Sequence, residues 1–261
     1  MKVTLLQTEI EWGNPTANIK QAESLMAGCP DSDLYVLPEM WSSGFATKPH
    51  DIAEEESRSV ARQWMSSTAV RLRCAICGSL AVRLSDGTYR NRLYFFDGRK
   101  QSCQYYDKHH LFTYGGENIY YKPGETHTVV NYEGFRILLL TCYDLRFPVW
   151  SRYTDDLAYD MIVCVANWPD TRQNAFQILT RARAIENMCY LVAVNRVGAD
   201  SYSHYRGCSC VVSPIGKTLA RCLPDVSTTT SACIDIEYLR HKREKFRALE
   251  DRDRFLEELA L

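Results

Sequence analysis

The sequence predicts an α/β fold organised as one domain. Short apolar runs rich in Val, Leu, Ile, Tyr and Cys recur along the whole chain, and helical patterns lie between some of them. No linker, low-complexity tract or repeat interrupts this alternation. The chain has 261 residues, of which 46% are hydrophobic and 24% charged, which is typical of a soluble globular protein. We therefore expect residues 1–261 to form a single domain, in which helices cover a mixed sheet or two stacked sheets.

The apolar runs define the expected strands, and the intervening patterns define the helices. The predicted strands are 2–7, 33–37, 74–84, 90–97, 101–106, 135–141, 160–165, 190–195, 208–213, 217–222 and 231–236. The predicted helices are 15–28, 56–73, 147–155 and 171–188. Pro148 lies near the start of the third helix, where its missing amide hydrogen costs nothing. The turn sequences RLSDG and FDGRK at 83–87 and 96–100 predict hairpins.

The C-terminal stretch, about 237–261, alternates positive and negative charges and has apolar residues at helical spacing in parts. We interpret it as a solvated helix or arm with an anchoring face. The alternative is an element that crosses to another subunit.

Charge and the N-terminal sequence exclude several functional classes. The net charge of -1 gives no field that would gather nucleic acid or a membrane surface, so neither partner is expected. The first apolar run is interrupted by Glu9 and Glu11, before it could form a signal peptide or a membrane span. We expect a cytoplasmic protein that starts at Met1.

The cysteines favour buried free thiols in a reducing compartment. There are eleven, an odd number, and they are scattered through apolar segments rather than placed in a regular framework. Cys74 and Cys77 form a CxxC pattern and Cys208 and Cys210 a CxC pattern, but neither has further metal ligands nearby in the sequence. No metal or organic cofactor is expected.

Three apolar strands end in groups capable of chemistry. Glu39 follows the run DLYVLP, where a carboxylate is either a solvated loop residue, the interpretation that position alone favours, or a buried general base. Lys108 follows CQYYD and is either a surface charge or, beside a thiol, a cation that favours the thiolate and stabilises an oxyanion.

Cys142 ends the run ILLLTC and precedes polar residues, which places it at a strand-to-helix turn. Taken alone, it is either a core residue or a nucleophile. A nucleophilic cysteine needs a base. None of the histidines has a papain-like or caspase-like sequence context, so support for a Cys-His pair is weak, and a carboxylate base with a lysine neighbour would do the same work.

The segments LPEMWSSGF, YDKHHLF, LTCYDLRFP and ARAIEN resemble the signature segments of the nitrilase superfamily, the carbon-nitrogen hydrolases. The resemblance covers nearly the whole chain. It implies an αββα sandwich that commonly pairs into an αββααββα homodimer, and a catalytic set of Glu39 as base, Lys108 and Cys142 as nucleophile. It also implies a second glutamate after the lysine, which is Glu117 rather than Glu125.

The segments CYDLRFPVW, VANWP, NRVG and HYRG resemble the bacterial omega-amidase branch. This implies hydrolysis of the terminal amide of 2-oxo acid amides such as 2-oxoglutaramate and 2-oxosuccinamate, through a cysteine thioester. Rival activities are those of a deaminated glutathione amidase, an N-carbamoyl amidase or a nitrilase. A rival of another class is a thiol-rich binding protein without catalysis.

The substrate would lie in a small pocket shaped by Phe45, Tyr143 and Trp168. Arg146, four residues after Cys142, either binds the substrate carboxylate as a fork or pairs with an acid that holds the turn. Arg196 and Arg206 are alternative carboxylate ligands. In RARAIEN, the pair formed by Arg183 and Glu186 has helical spacing and is expected to brace the fold.

Overall fold

The computed structural model describes residues 1–253. The strands of this part are β1 (Lys2–Gln7), β2 (Leu34–Val36), β3 (Glu54–Glu55), β4 (Ala75–Arg83), β5 (Tyr89–Asp97), β6 (Ser102–Asp107), β7 (Val129–Tyr132), β8 (Phe135–Thr141), β9 (Met161–Ala166), β10 (Tyr190–Asn195), β11 (Val197–Ala199), β12 (His204–Arg206), β13 (Cys210–Val212), β14 (Thr218–Arg221) and β15 (Thr228–Cys233). The α-helices are α1 (Pro15–Ala27), α2 (Val60–Leu72), α3 (Glu117–Tyr120), α4 (Gln173–Glu186) and α5 (Ile236–Lys245).

These strands form two large mixed sheets and a short ribbon. The first sheet has the order β15-β1-β2-β4-β5-β6, with β3 also paired to β4, and the second has the order β14-β13-β10-β9-β8-β7. The parallel sets β1-β2-β4 and β8-β9-β10 lie at the centres of the two sheets. The ribbon β11-β12 stands apart from both sheets.

Alternating side chains place the sheets face to face and the helices outside. Val3 and Leu5 of β1 share one buried cluster with Ile137 and Leu139 of β8, which forms the core between the sheets. The alternate side chain of β1, Leu6, packs with α1 and α2. On the second sheet the alternate side chains of β8 pack towards α4. The layers are therefore α, β, β and α, as the fold class requires.

Local capping sets the starts of the outer helices. Asn14 accepts a hydrogen bond from the Ala17 amide at 3.1 Å, and Pro15 occupies the first helical position of α1. Ser59 accepts from the Arg62 amide at 3.0 Å, so α2 begins later than predicted, at Val60. The hairpin turns at 83–87 and 96–100 are present, and Gly87 has a positive φ of 82°.

The predicted helix 147–155 is wrong. A 3₁₀ turn over Cys142–Arg146 ends where the Phe147 amide bonds the Asp144 carbonyl, and irregular chain follows. The backbone groups that an α-helix would use are taken by distant side chains. The Tyr153 amide donates to Asn187 Oδ1 at 2.9 Å, and the Trp150 carbonyl lies 2.7 Å from His127 Nε2.

Other differences concern the ends of elements. The expected strand 231–236 is found as β15, and its last residues become the start of α5, where Asp235 caps the Glu237 amide. The strand β7 and the short strands β3, β11 and β12 were not predicted. The charged C-terminal stretch begins with α5, which is anchored by the fully buried Leu239. The part of the predicted arm from 254 to 261 lies outside the described residues.

Candidate active site

The sheet architecture brings three strand ends to one place. Glu39 follows β2, Lys108 follows β6, and Cys142 follows β8. Because the central strands β2 and β8 belong to sheets that pack face to face, the chain segments that leave them meet at one edge of the sandwich. Position alone favoured a solvated Glu39, and this interpretation is wrong, since Glu39 is fully buried.

A network of three buried charges, the floor of the site, lies next to Cys142 and behind the residues that are exposed to a ligand. Lys108 Nζ lies 2.9 Å from Glu39 Oε1 and 2.8 Å from Glu117 Oε2, and all three side chains are inaccessible to solvent. Burial alone would lower the pKa of Lys108, but the carboxylates of Glu117 and Glu39 raise this pKa well above its ordinary value. Lys108 is therefore a fixed ammonium group that neutralises one of the two carboxylates.

Neutral donors orient both carboxylates. Asn91 Nδ2 lies 2.7 Å from Glu39 Oε1 and 3.0 Å from Glu117 Oε1, and Asn91 Oδ1 accepts from Ser79 Oγ. Glu117 also accepts from the Phe112 amide at 2.7 Å. Such a complete set of partners holds a buried polar network in one arrangement.

Asn167, directly after β9, holds Glu39 from the second sheet. Its backbone amide donates to Glu39 Oε2 at 2.8 Å, and its side-chain Nδ2 donates to the Glu39 carbonyl at 2.8 Å. Glu39 follows β2 of the first sheet, and its hydrogen-bond partner Asn167 follows β9 of the second. These bonds therefore link the two sheets. Met40, which follows Glu39 in the chain, has a φ of 40°, a strained conformation for a non-glycine residue.

Cys142 begins the 3₁₀ turn after β8 and has a φ of 47°. A positive φ at a cysteine is uncommon, and such strain often marks a functional position. Asp144, which is fully buried, stabilises the turn. Its carboxylate accepts from the Thr141 amide at 3.0 Å, from Tyr106 Oη at 2.8 Å and from the His110 amide at 2.8 Å.

The surroundings of Cys142 favour the neutral thiol over the thiolate. Burial raises the pKa of Cys142 well above its ordinary value, and the nearby Glu39 carboxylate raises it further, while Lys108 opposes both effects. Burial also raises the pKa of Glu117, against the opposing charge of Lys108. Within residues 1–253, no histidine hydrogen-bonds Cys142, and the neighbouring ring of His110 is bonded to Asp144 instead.

Cys142 opens into a cavity of about 620 Å³, which is the size of a small-molecule site. The four predicted substrate-binding residues, Phe45, Tyr143, Arg146 and Trp168, all line it. The Phe45 ring centre lies 5.3 Å from Lys108 Nζ, so this ring connects the cavity wall to the buried charges. The ribbon β11-β12 and the loop between its strands contribute much of the outer wall.

The three candidate arginines have different environments. Arg146 lines the cavity with its guanidinium 4.9 Å from the centre of the Trp168 ring. Arg196 is fully buried and donates to the carbonyls of Val197, Ile10 and Ala199. Arg206 pairs with Asp225 at 3.1 Å on the surface. Neither Arg196 nor Arg206 lines the cavity.

The remaining candidates lie outside the cavity. Glu125 is exposed. Arg183 bonds Glu186 at 2.8 Å and the Leu145 carbonyl at 3.1 Å, so the pair braces the fold as expected, at the turn that begins with Cys142. The thiols of the CxxC and CxC patterns are free. The described part of the chain contains no group of three or more His, Cys, Asp or Glu side chains that could hold a metal ion.

Several site residues were missed by sequence reasoning. Asn91 lies between Arg90 and Arg92 near the start of a strand, where nothing in the sequence marks it, whereas Asn167 directly follows a buried run and could have been noticed as unusual. Asp144 was visible as an acidic residue beside the nucleophile. Arg172, which lines the cavity, carries no signal that separates it from a surface arginine.

Comparisons with known proteins identify the family of the chain. The sequence profile described as carbon-nitrogen hydrolase matches residues 2–244. The chain is 40% identical to omega-amidase YafV of Escherichia coli strain K12 over 256 residues, which is 98% of each chain. It is 34% identical to a 2-oxoglutaramate amidase of Bacillus subtilis, over 84% of this chain and 85% of that protein.

Among solved structures, a CN-hydrolase superfamily protein from Xanthomonas campestris with an arsenic adduct in its active site is similar. The TM-score is 0.92 with 36% identity, and the similarity covers 97% of each chain. No helix among residues 1–253 is long and apolar enough to cross a membrane.

Proposed function

Because the chain belongs to the carbon-nitrogen hydrolase family, we propose that it is an omega-amidase that hydrolyses the terminal amide of 2-oxo acid amides such as 2-oxoglutaramate and 2-oxosuccinamate. The observation that carries the proposal is the buried contact of Lys108 with Glu39 and Glu117 behind Cys142. The curated relatives named above support the choice of amide. The products are a 2-oxo dicarboxylate and ammonia.

In the first half-reaction, Glu39 takes the proton of Cys142 as the thiolate attacks the amide carbon. The tetrahedral oxyanion is stabilised by the Lys108 ammonium and the Tyr143 backbone amide, and one such donor is worth about 3 kcal/mol in other enzymes. When the carbon–nitrogen bond breaks, protonated Glu39 returns its proton to the leaving nitrogen. Ammonia leaves, and the acyl group remains on sulfur as a thioester.

In the second half-reaction, Glu39 deprotonates a water molecule that attacks the thioester carbon. The carbon–sulfur bond breaks, the product acid leaves, and the proton held by Glu39 returns to sulfur. Glu117 holds Lys108 in place during both steps. A neutral resting thiol suits this scheme, because the carboxylate remains free to act as base.

Arg146 binds the substrate carboxylate in this proposal. Its guanidinium lies over the Trp168 ring, 4.9 Å from the ring centre, and among residues 1–253 it forms no ion pair with an acidic side chain that would compete with a ligand. Phe45 and Tyr143 supply the apolar walls between Arg146 and the nucleophile.

A product assay with mass detection tests the proposal. Incubation with 2-oxoglutaramate is expected to release equal amounts of 2-oxoglutarate and ammonia, without carbon dioxide. Intact-mass measurement is expected to find a substrate-derived acyl adduct on the wild type and none on Cys142→Ala. Activity on a nitrile, an N-carbamoyl compound or deaminated glutathione, with none on the oxo-amide, contradicts the substrate. Unchanged function of Cys142→Ala would favour the non-catalytic thiol-rich protein.

We also propose that the chain forms one domain, works in the cytoplasm and assembles as a homodimer. The free thiols of the described residues support a reducing compartment. The outer face of α4 and the adjacent β13-β14 turn support pairing, because Ile178, Ile185 and Ile215 are 58%, 48% and 53% exposed. Light scattering of the wild type and of Ile185→Glu tests it, with a dimer expected only for the wild type.

A further inference from the structure

A second arginine lines the outer cavity wall, and the mechanism above does not use it. Arg172 lies in the 3₁₀ turn Asp170–Arg172, directly before α4. Its guanidinium is 5.3 Å from the centre of the Phe112 ring, and its carbonyl accepts from Trp168 Nε1 at 2.8 Å. Because Trp168 also carries the guanidinium of Arg146 on its face, one side chain positions both arginines.

The two guanidinium groups lack acidic partners, in contrast to several arginines that brace the fold. Arg92, Arg183 and Arg243 each form an ion pair with Asp or Glu at 2.7 to 3.1 Å. Within the described chain, neither Arg146 nor Arg172 forms an ion pair, although acidic residues line the same cavity. Both arginines line the cavity, and within the described residues their guanidinium N–H groups have no protein acceptor. These donors are available to an anion.

The acidic residues of the cavity are already occupied. Asp170 lies 3.2 Å from His204 Nδ1. Asp200 accepts from Tyr205 Oη at 2.8 Å and from the amides of Tyr202 and Ser203 at 2.9 Å each. Among the described residues, both carboxylates therefore have hydrogen-bond partners while the two guanidinium groups have no acidic partner, so the donors left for a ligand in this wall are cationic and suit an anionic group.

We propose that Arg172 is a specificity-determining residue that, together with Arg146, binds the 2-oxo-carboxylate end of the substrate and rejects the corresponding 2-amino acid. This inference rests on the proposed omega-amidase function and deepens it. One guanidinium fork satisfies a carboxylate, and the second supplies donors to the adjacent 2-oxo oxygen. In glutamine, an ammonium group replaces that oxygen, so Arg172 meets a like charge and loses its acceptor.

Kinetics of Arg172→Gln with 2-oxoglutaramate and with glutamine test the inference. We expect KM for 2-oxoglutaramate to rise about 10-fold or more, while kcat changes little. For glutamine, kcat/KM is expected to stay constant or rise, so the preference for the oxo-amide falls. Arg172→Lys, which keeps the charge without the fork, is expected to lie between the two. Arg71→Gln, an exposed arginine on α2, is the matched control and should behave like the wild type.

Equal losses with both amides would assign Arg172 a structural role and overturn the inference, as would an unchanged KM for the oxo-amide. A failure of the proposed function is recognised separately, because the wild type would then not hydrolyse 2-oxoglutaramate. In that case calorimetric binding of 2-oxoglutarate and glutamate to Cys142→Ser decides. Weaker binding of 2-oxoglutarate alone in Arg172→Gln supports the inference, and equal binding in both proteins overturns it.

Discussion

The buried charges of the floor and the arginines of the cavity wall differ in whether they have charged partners within the protein. On the floor, Glu39, Lys108 and Glu117 are fully buried, and every charged group has partners at 2.7 to 3.0 Å. On the wall, Arg146 and Arg172 rest on aromatic rings and form no ion pair within residues 1–253. The first arrangement is complete without a ligand, and the second acquires its acceptors only when an anion binds.

In the proposed function, this difference assigns the reaction to the floor and the binding of the substrate to the wall. A preorganised floor does not need to reorganise when charge develops on the substrate, which is the main source of electrostatic catalysis. An open wall contributes binding energy that depends on the ligand. Substitutions on the floor should therefore change kcat and stability, whereas substitutions on the wall should change KM. The predictions below test this division.

The largest effect is expected for Glu39→Gln. Glutamine retains the shape of the side chain but cannot take the proton of Cys142 or activate water, so kcat should fall about 10³-fold with little change in KM. Ammonia release measures both constants. Glu125→Gln, an exposed glutamate, is the matched control and should retain wild-type activity. A decrease in kcat of less than about 10-fold would show that Glu39 is not the general base.

Lys108→Met should reduce both activity and stability. Loss of one oxyanion donor lowers kcat about 10²- to 10³-fold. It also leaves two buried carboxylates without their cation, and breaking a buried ion pair in this way costs about 3–5 kcal/mol of the free energy of unfolding. Urea denaturation measures the second effect, with the exposed Lys20→Met as control. Wild-type stability in Lys108→Met would show that the floor is not a tightly coupled unit.

The sequence allowed the strand ends and their reactive side chains to be predicted, because a buried run that stops at a polar residue is a local pattern. The resemblance implied the αββα layers, whereas the pattern of strands and helices alone left a single mixed sheet and two stacked sheets as alternatives. The burial of Glu39 was not predictable from position, since it depends on Asn91 and Asn167, which are distant in the chain and reach the site only in the folded state.

The prediction of a helix at 147–155 was also wrong because of contacts with residues that are distant in the chain. Its local pattern is compatible with a helix, but the Tyr153 amide and the Trp150 carbonyl bond Asn187 and His127, which belong to other segments. Arg172 escaped prediction because a single arginine beside a helix start is usually a surface charge. Its importance depends on Phe112 and Trp168, which hold it in the cavity wall.

Asp144→Asn tests the support of the turn that begins at Cys142. The carboxylate accepts from Tyr106, His110 and Thr141, and an amide presents two N–H groups in place of one acceptor oxygen. We expect kcat to fall roughly 10-fold because Cys142 shifts, a smaller loss than removal of a reacting group. Stability should fall by about 1–3 kcal/mol. The exposed Asp156→Asn is the control, and an equal kcat in both variants would contradict the positioning role.

The smallest effect concerns the protonation of Cys142. Beside the buried charges of the floor, this thiol should give no thiolate absorbance at neutral pH. Since the folded pKa of the thiol is raised well above 9.0, Cys142 should carry a proton at neutrality and lose it only as the pH rises beyond that value. The difference in thiolate ultraviolet absorbance between the wild type and Cys142→Ser should therefore be absent at neutral pH and appear under alkaline conditions. In Glu39→Gln the neighbouring negative charge is removed, so the transition should move to lower pH, whereas in Lys108→Met it should move higher. A thiolate signal at neutral pH in the wild type would show instead that the Lys108 ammonium outweighs burial and Glu39, and that Glu39 is not needed to activate the nucleophile.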